Sequence, residues 1–214
     1  MNLGAGNRRT DVGVLRLDDL DGDDGRELTG SAIAAIARAL TGRTPVPTDL
    51  TPDRPRLMLD GACFVSLHRG SSLLGCIGSL QAHRPLHLDA AANGVAAAFS
   101  DPRLPAIDAE DFRAMSVEVS VLGTPVDLDT SSFDDLLARI RPGADGLIVR
   151  HGRRRATLLP SVWDKIADPG DFIDILWRKA GLPPRSWPAR ITVQRYRTVS
   201  FEDRGPRPPA SPVN

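Results

Sequence analysis

The stretch Leu73-Leu74-Gly75-Cys76-Ile77-Gly78-Ser79-Leu80 constrains this chain more than any other. Its apolar run reads as a strand, yet it sets a cysteine between two glycines. Glycine weakens a strand, because it loses the most backbone freedom on ordering and has no side chain to pack. Two of them beside a thiol predict a bulge or a close approach by another part of the chain. The stretch pairs as a hairpin with Cys63-Phe64-Val65-Ser66-Leu67-His68 through Arg69-Gly70-Ser71-Ser72. If the loop is Arg69-Gly70 alone, Cys63 and Cys76 sit directly opposite; if it is all four residues, they are offset diagonally. A disulfide is compatible with the hairpin but disfavoured in a reducing compartment.

Periodicity lays out the rest. Leu28, Ala32, Ala35, Ile36, Ala39 and Leu40 give one buried stripe on a helix over Glu27–Leu40, stopped by Thr41-Gly42. Thr44–Pro55 is too broken by proline for helix or central strand. Leu86–Phe99 is a helix whose alanine-rich surface suits close packing on a sheet, and Asp101-Pro102-Arg103-Leu104-Pro105 ends it. A short helical turn at Asp108–Phe112 precedes Met115–Leu122, a strand with Met115, Val117, Val119 and Val121 on one face and Ser116, Glu118 and Ser120 on the other. Ser132–Ile140 is a helix, Gly146–His151 and Arg153–Leu159 form a second hairpin about Gly152, and Asp171–Ala180 is a helix capped by Gly181. Arg190–Phe201 alternates as one final strand. The domain therefore spans 27–202, between a flexible leader over 1–26 and a disordered, proline-rich tail over 203–214. The acidic run Asp18–Gly25 is a solvated part of that leader. It is no calcium loop, since the sixth position from Asp18 is Asp23 where a glycine is needed and the twelfth is Thr29 where a glutamate is needed.

Composition narrows the function classes. Net charge is zero, so the chain lacks the bulk electrostatic footprint of a nucleic-acid or anionic-membrane binder. Only Lys165 and Lys179 of the 27 basic residues are lysines. No apolar run approaches the roughly 20 residues of a membrane span, and Met1–Asp11 lacks a signal-peptide core. Two cysteines are too few for a disulfide framework or a structural zinc site, which makes a reduced cytoplasmic protein the default. Of the histidines His68, His83, His87 and His151, only His83 and His87 are four apart, and Pro85 spoils their shared face. Neither a metal nor another cofactor is expected, and oligomeric state is left open.

Taken together, the blocks resemble a known family. Leu74-Gly75-Cys76-Ile77-Gly78 resembles the Leu-Arg-Gly-Cys-Ile-Gly signature of the AMMECR-type domain family, whose prokaryotic members are called AmmeMemoRadiSam system protein A. Ala97-Ala98-Phe99-Ser100-Asp101-Pro102-Arg103 is similar to the family's Ala-Ala-Phe-x-Asp-Pro-Arg, and Met115–Leu122 to its strand ending Glu-Ile-Ser-Val-Leu, with Glu118 at the glutamate. Gly146–Val149 through Leu158–Trp163, and Lys179-Ala180-Gly181-Leu182, resemble its closing blocks. The resemblance covers about 28–202 and implies a mixed α/β (α+β) fold, a mainly antiparallel sheet with flanking helices and a smaller subdomain. It also implies a Memo-like protein and a radical-SAM protein as partners, without implying an established reaction. The signature's arginine is Leu74 here. An arginine beside the cysteine would lower the thiol pKa and bind an anion, so if the family chemistry needs that guanidinium its loss implies a diverged or inactive member.

Several residues carry chemistry under one reading and structure under another. Cys76 is a nucleophile if it is accessible and charged, or a small packing residue. Glu118 is a general base or ligand anchor if its sheet face lines a cleft, or part of a solvated face. Asp101 and Arg103 cap the preceding helix and pair with one another, or Arg103 holds an anionic substrate group. Gly75 and Gly78 are candidate binding positions beside the thiol. Arg150, Arg153, Arg154 and Arg155 read as an exposed hairpin tip better than as an RNA contact, since no aromatic stacking partners lie nearby. Two classes remain: an enzyme or enzyme subunit acting on a small polar substrate, and a non-catalytic binding or scaffold module.

Overall fold

The computed structural model describes residues 15–44 and 52–210. Its helices and strands are α1 (Gly22–Leu40), β1 (Asp60–Gly61), β2 (Cys63–Arg69), β3 (Ser72–Gly78), β4 (Arg84–Pro85), α2 (Leu86–Phe99), α3 (Ala109–Ala114) and β5 (Ser116–Leu122) in the first part. Then follow β6 (Val126–Leu128), α4 (Phe133–Arg139), β7 (Gly146–His151), β8 (Arg154–Leu158), α5 (Pro169–Lys179), β9 (Thr192–Tyr196) and β10 (Thr198–Asp203). Every strand pairing is antiparallel. The strands form one four-stranded sheet ordered β10-β5-β2-β3, a second ordered β6-β9-β7-β8, and the small pair β1-β4. The mixed α/β class with antiparallel sheets is as the sequence implies.

The first sheet buries one face. Val65 and Leu67 of β2 and Val117, Val119 and Val121 of β5 are fully buried with Leu28, Ile36, Leu86, Ala90 and Ala97 of α1 and α2. The second sheet does the same with Leu147, Val149, Ala156 and Val193 against Leu136 of α4 and Phe172, Leu176 and Trp177 of α5. A smaller cluster of Ala62, Leu122, Ile148 and Tyr196, backed by Phe64, Leu80 and Leu159, joins the two remaining faces. The sheets thus lie between two helical layers, facing one another.

Four expectations need correction. Residues 15–26 are not a flexible leader: α1 starts at Gly22, and Leu15, Leu17 and Leu20 pack on the first core. Asp21 caps the helix by accepting from the Asp23 and Asp24 amides, and Asp24 returns a bond to the Asp21 amide at 2.9 Å. The acidic run is therefore a helix start, where carboxylates complement the positive end of the dipole. Residues 204–210 are likewise placed, since Arg207 donates to the Met115 carbonyl and Ala210 packs on the first core. Residues 1–14 and 211–214, and residues 45–51 of the connector, lie outside the described residues.

The single strand expected over Arg190–Phe201 breaks at Arg197, whose carbonyl accepts from the Gly123 amide at 2.9 Å. Its first half, β9, belongs to the second sheet, and its second half, β10, to the first. Alternation continues across the break, so periodicity alone cannot show that the strand changes sheets.

Next to the turn the hairpin pairs His68 with Leu73, as the four-residue loop would, and beyond the bulge it departs from both registers considered. Arg69 pairs with Ser72 around Gly70-Ser71, Ser66 with Cys76 and Leu67 with Gly75, while Leu74 is the extra residue of a bulge. Cys63 points into the helical core and Cys76 out of the opposite face, so the two thiols are free and no disulfide forms. The glycines answer both expectations at once. A Cβ on Gly75 would overlap the Ala97 carbonyl oxygen of α2, and one on Gly78 would overlap the Phe64 ring. Replacing Gly75 by alanine should force α2 off the sheet and cost about 3 kcal/mol. By contrast, Gly30→Ala, exposed in α1 with nothing within 4 Å of its Cβ position, should stabilise by about 1 kcal/mol. Urea denaturation midpoints of the two variants, moving in opposite directions, check this contrast.

Candidate functional site

The pleat that buries the valines turns every second residue of the first sheet toward the second sheet. Cys76 of β3 stands opposite Ser66 of β2, Ser66 opposite Glu118 of β5, and Glu118 opposite Glu202 of β10. Flanking rows place His68 beside Ser116 and Phe64 beside Ser120. The result is a polar sheet face. Across from it lie Thr157 and Leu158 of β8, the turn Pro160–Asp164, Lys165, and Lys179 at the end of α5. The space between is a cavity of about 600 Å³.

Four of the sequence candidates meet in this cavity. Cys76, Glu118, Asp101 and Arg103 all line it, although they come from three separate stretches of chain. Gly75 and Gly78 are not among its lining residues; α2 and Phe64 occupy the space that their missing side chains leave. Ser66, Thr157, Lys165 and Lys179 are lining residues that the sequence reading did not select. Ser66 becomes the cross-strand neighbour of Cys76 only through the bulge at Leu74, which no local signal announces. The two lysines carried another signal, being the only ones in the chain.

The loop after α2 holds the thiol's strand. β3 is an edge strand of its sheet, and Asp101 Oδ2 accepts from the Cys76 amide at 2.9 Å while the Arg103 guanidinium donates to the Cys76 carbonyl at 3.0 Å. Arg103 also grips Asp101 through Nε at 2.9 Å and Nη2 at 2.6 Å, and its own amide donates to Oδ1 at 3.0 Å. The Asp101 carboxylate is buried. The Arg103 hydrogen bonds hold its pKa well below the usual aspartate range against the opposing effect of burial, with the Cys76 and Arg103 amides adding to the downward shift. Arg103, paired in this way, is held protonated more firmly still. This short charged clasp closes a sheet edge that would otherwise present unpaired backbone groups.

The thiol itself receives a donor: Ser66 Oγ lies 3.2 Å from Cys76 Sγ. Ser120 Oγ donates to Glu118 Oε1 at 2.8 Å and is 2.8 Å from Ser200 Oγ, which orients the carboxylate in the row. Lys179 Nζ donates to the Thr157 carbonyl at 3.0 Å. Lys179 is exposed as a residue, and partial desolvation lowers its pKa, with Arg103 adding to the effect and Cys76 opposing it. Cys63 is the contrasting thiol. It is fully buried, takes an Asp89 contact at 3.5 Å, and is pushed well above the usual thiol range by burial and by the Asp89 charge. Buried cysteines of this kind are inert.

Position 74 also differs from expectation. Leu74 packs against the helix-side core, away from Cys76, so an arginine there would not share the thiol's face. The guanidinium beside Cys76 is that of Arg103. Arg153, Arg154 and Arg155 are exposed about the Gly152 turn, whereas Arg150 is half-buried at a separate cavity near Gln194. Among the described residues no group of three His, Cys, Asp or Glu side chains is placed to hold a metal, and no helix is long and apolar enough to cross a membrane.

Comparison with known proteins agrees with this architecture. The AMMECR1 family model matches residues 30–201. A Methanothermobacter thermautotrophicus protein is 37% identical over 196 residues, covering 89% of this chain and 100% of that relative. A Methanocaldococcus jannaschii protein is 35% identical over 149 residues, covering 68% of this chain and 74% of its own. The crystal structure of an uncharacterized protein from Pyrococcus horikoshii is similar with a TM-score of 0.80 at 32% identity, over 89% of this chain and 96% of that one.

The clasp makes a pH-dependent forecast. Asp101→Ala leaves the Cys76 amide and Arg103 without their partner and should cost about 3 kcal/mol at neutral pH. Because the folded-state pKa of Asp101 is depressed, its contribution is complete above the ordinary aspartate value of about 4 and is lost as pH falls below it toward the folded value. Urea unfolding at a series of pH values should therefore show the stability gap between wild type and variant narrowing below about pH 4.

Proposed function

Since the chain belongs to the AMMECR1 family, we propose that it is an enzyme, or an enzyme subunit, that binds a small polar substrate in the cleft between its sheets. The observation that supports this reading is the convergence of Cys76, Glu118, Asp101 and Arg103 on one cavity of about 600 Å³, a volume typical of small-molecule sites. Cys76 is the nucleophile, supported by the Ser66 hydroxyl on its sulfur. Glu118, oriented by Ser120, is the general acid or base of the row. Asp101 and Arg103 position the thiol's strand through the Cys76 backbone. The reading places the protein in the reducing cytoplasm, where both thiols stay free.

The partners of this reading are a Memo-like protein and a radical-SAM protein. A scaffold module is the alternative, and the clasp favours it to this extent: a fully bonded Asp101–Arg103 pair fixes fold whether or not chemistry follows.

Alkylation separates the two. In native buffer, iodoacetamide should modify Cys76 while leaving Cys63 untouched until the chain is denatured, as peptide mass spectrometry would show. A Cys76 as resistant as Cys63 ends the nucleophile reading. Affinity purification at near-native expression should recover the Memo-like partner where one is encoded nearby, and its repeated absence counts against the shared complex.

A further inference from the structure

Twenty-five of the 27 Lys and Arg residues are arginine, and the two lysines, Lys165 and Lys179, both line the cleft that holds Cys76. In a chain that uses arginine for nearly every cation, a position that keeps lysine calls for something a guanidinium lacks. Arginine cannot lose its proton under protein conditions, whereas a primary amine can, and it is then a nucleophile or base. A cation that merely tied α5 to β8 would serve equally well as arginine.

The placement of Lys179 suits the neutral amine. Its Nζ reaches past the end of α5 to the Thr157 carbonyl at 3.0 Å and lies at the cleft wall. The groups facing the cleft are His68, Cys76, Asp101, Arg103, Glu118, Asp164 and Lys165. Partial enclosure and the Arg103 charge favour loss of the proton; Cys76 opposes it. So does the helix C-terminus. Among enclosure, Arg103 and Cys76, enclosure is the largest effect and the net direction is downward. Lys165, at the same cavity, is exposed and forms no ion pair among the described residues, which leaves it open to an anionic group.

We propose that Lys179 is a nucleophilic amine of the cleft and that the substrate is a small aldehyde or ketone bearing a carboxylate or phosphate. This rests on the reading of the cleft as the substrate site. A thiol and an amine contributed by the two facing layers both seek an electrophilic carbon, and a carbonyl offers one to each. The amine nitrogen attacks the carbonyl carbon and a C–N bond forms. The carbonyl oxygen then leaves as water with the two hydrogens of the amine, giving an imine on Lys179. No electrons are gained or lost. Of the carboxyl groups facing the cleft, Asp101 is committed to Arg103 and the Cys76 amide, which leaves Glu118 and Asp164 as the candidates to carry the proton to the departing oxygen.

The test uses the full wild-type chain, glyoxylate as the probe and cyanoborohydride to trap the imine, from about pH 6 to pH 9, below the ordinary lysine pKa. Peptide mapping should show Lys179 modified at least about tenfold faster than Lys165 near pH 7, since its enclosed amine loses its proton more readily than an ordinary lysine does. The advantage should shrink as pH rises. Lys179→Arg should retain the fold by thermal unfolding and lose that adduct while Lys165 labels as before. Labelling of Lys179 no faster than Lys165 across the range overturns the proposal. Cys76 alkylation reports separately: a reactive Cys76 with an inert Lys179 sinks the amine alone, and the reverse sinks the thiol's role alone.

Discussion

The approach of α2 to β3 at Gly75 sets the side on which every residue of the first sheet falls. A glycine there lets the Ala97 carbonyl come closer than any Cβ would allow, and the helix seats directly on the strand. Once that face is closed, the pleat leaves no freedom. Val65, Leu67, Val117, Val119 and Val121 fill the helix side, each worth on the order of 2 kcal/mol of burial. Cys76, Ser66 and Glu118 must then face the other way. A slip of one residue would bury Glu118 without a partner and expose the valines, so the row is fixed by the core behind it.

What remains is to hold the edge strand on which the thiol sits. Backbone partners on the outer side of β3 come from the loop after α2, not from another strand. The proline-bounded sequence Asp101-Pro102-Arg103 is short enough to present a carboxylate and a guanidinium together, and their mutual grip keeps both in place. Arg103 therefore does structural work on the Cys76 backbone while its outer face stays open to the cleft. The expected pairing of Asp101 with Arg103 is present, but their side chains bond each other and the Cys76 backbone, and the end of α2 is capped by the Ser100 amide instead.

Local order was well expressed in the sequence. The alternation of Met115–Leu122, the stripe of α1 and the turn at Gly152 follow from periods and punctuation that depend only on neighbouring residues. Misjudged segments share another property. The acidic run before α1 looks solvated until Asp21 and Asp24 are seen bonding each other's amides, and the stretch around Arg207 looks loose until it meets the Met115 carbonyl. The break at Arg197 is invisible because a strand that changes sheets keeps its alternation. Each of these depends on a partner far away along the chain.

The same division runs through the site. The sequence alone established the thiol flanked by glycines and the blocks that resemble the family, and that resemblance implied the mixed α/β class. Only the tertiary structure decided that Cys76 and Cys63 face opposite ways, that position 74 points away from the thiol, and that the two lysines share its cleft. A single bulged residue reverses the facing of everything beyond it, and bulges are set by what packs against a strand, not by the strand's own residues.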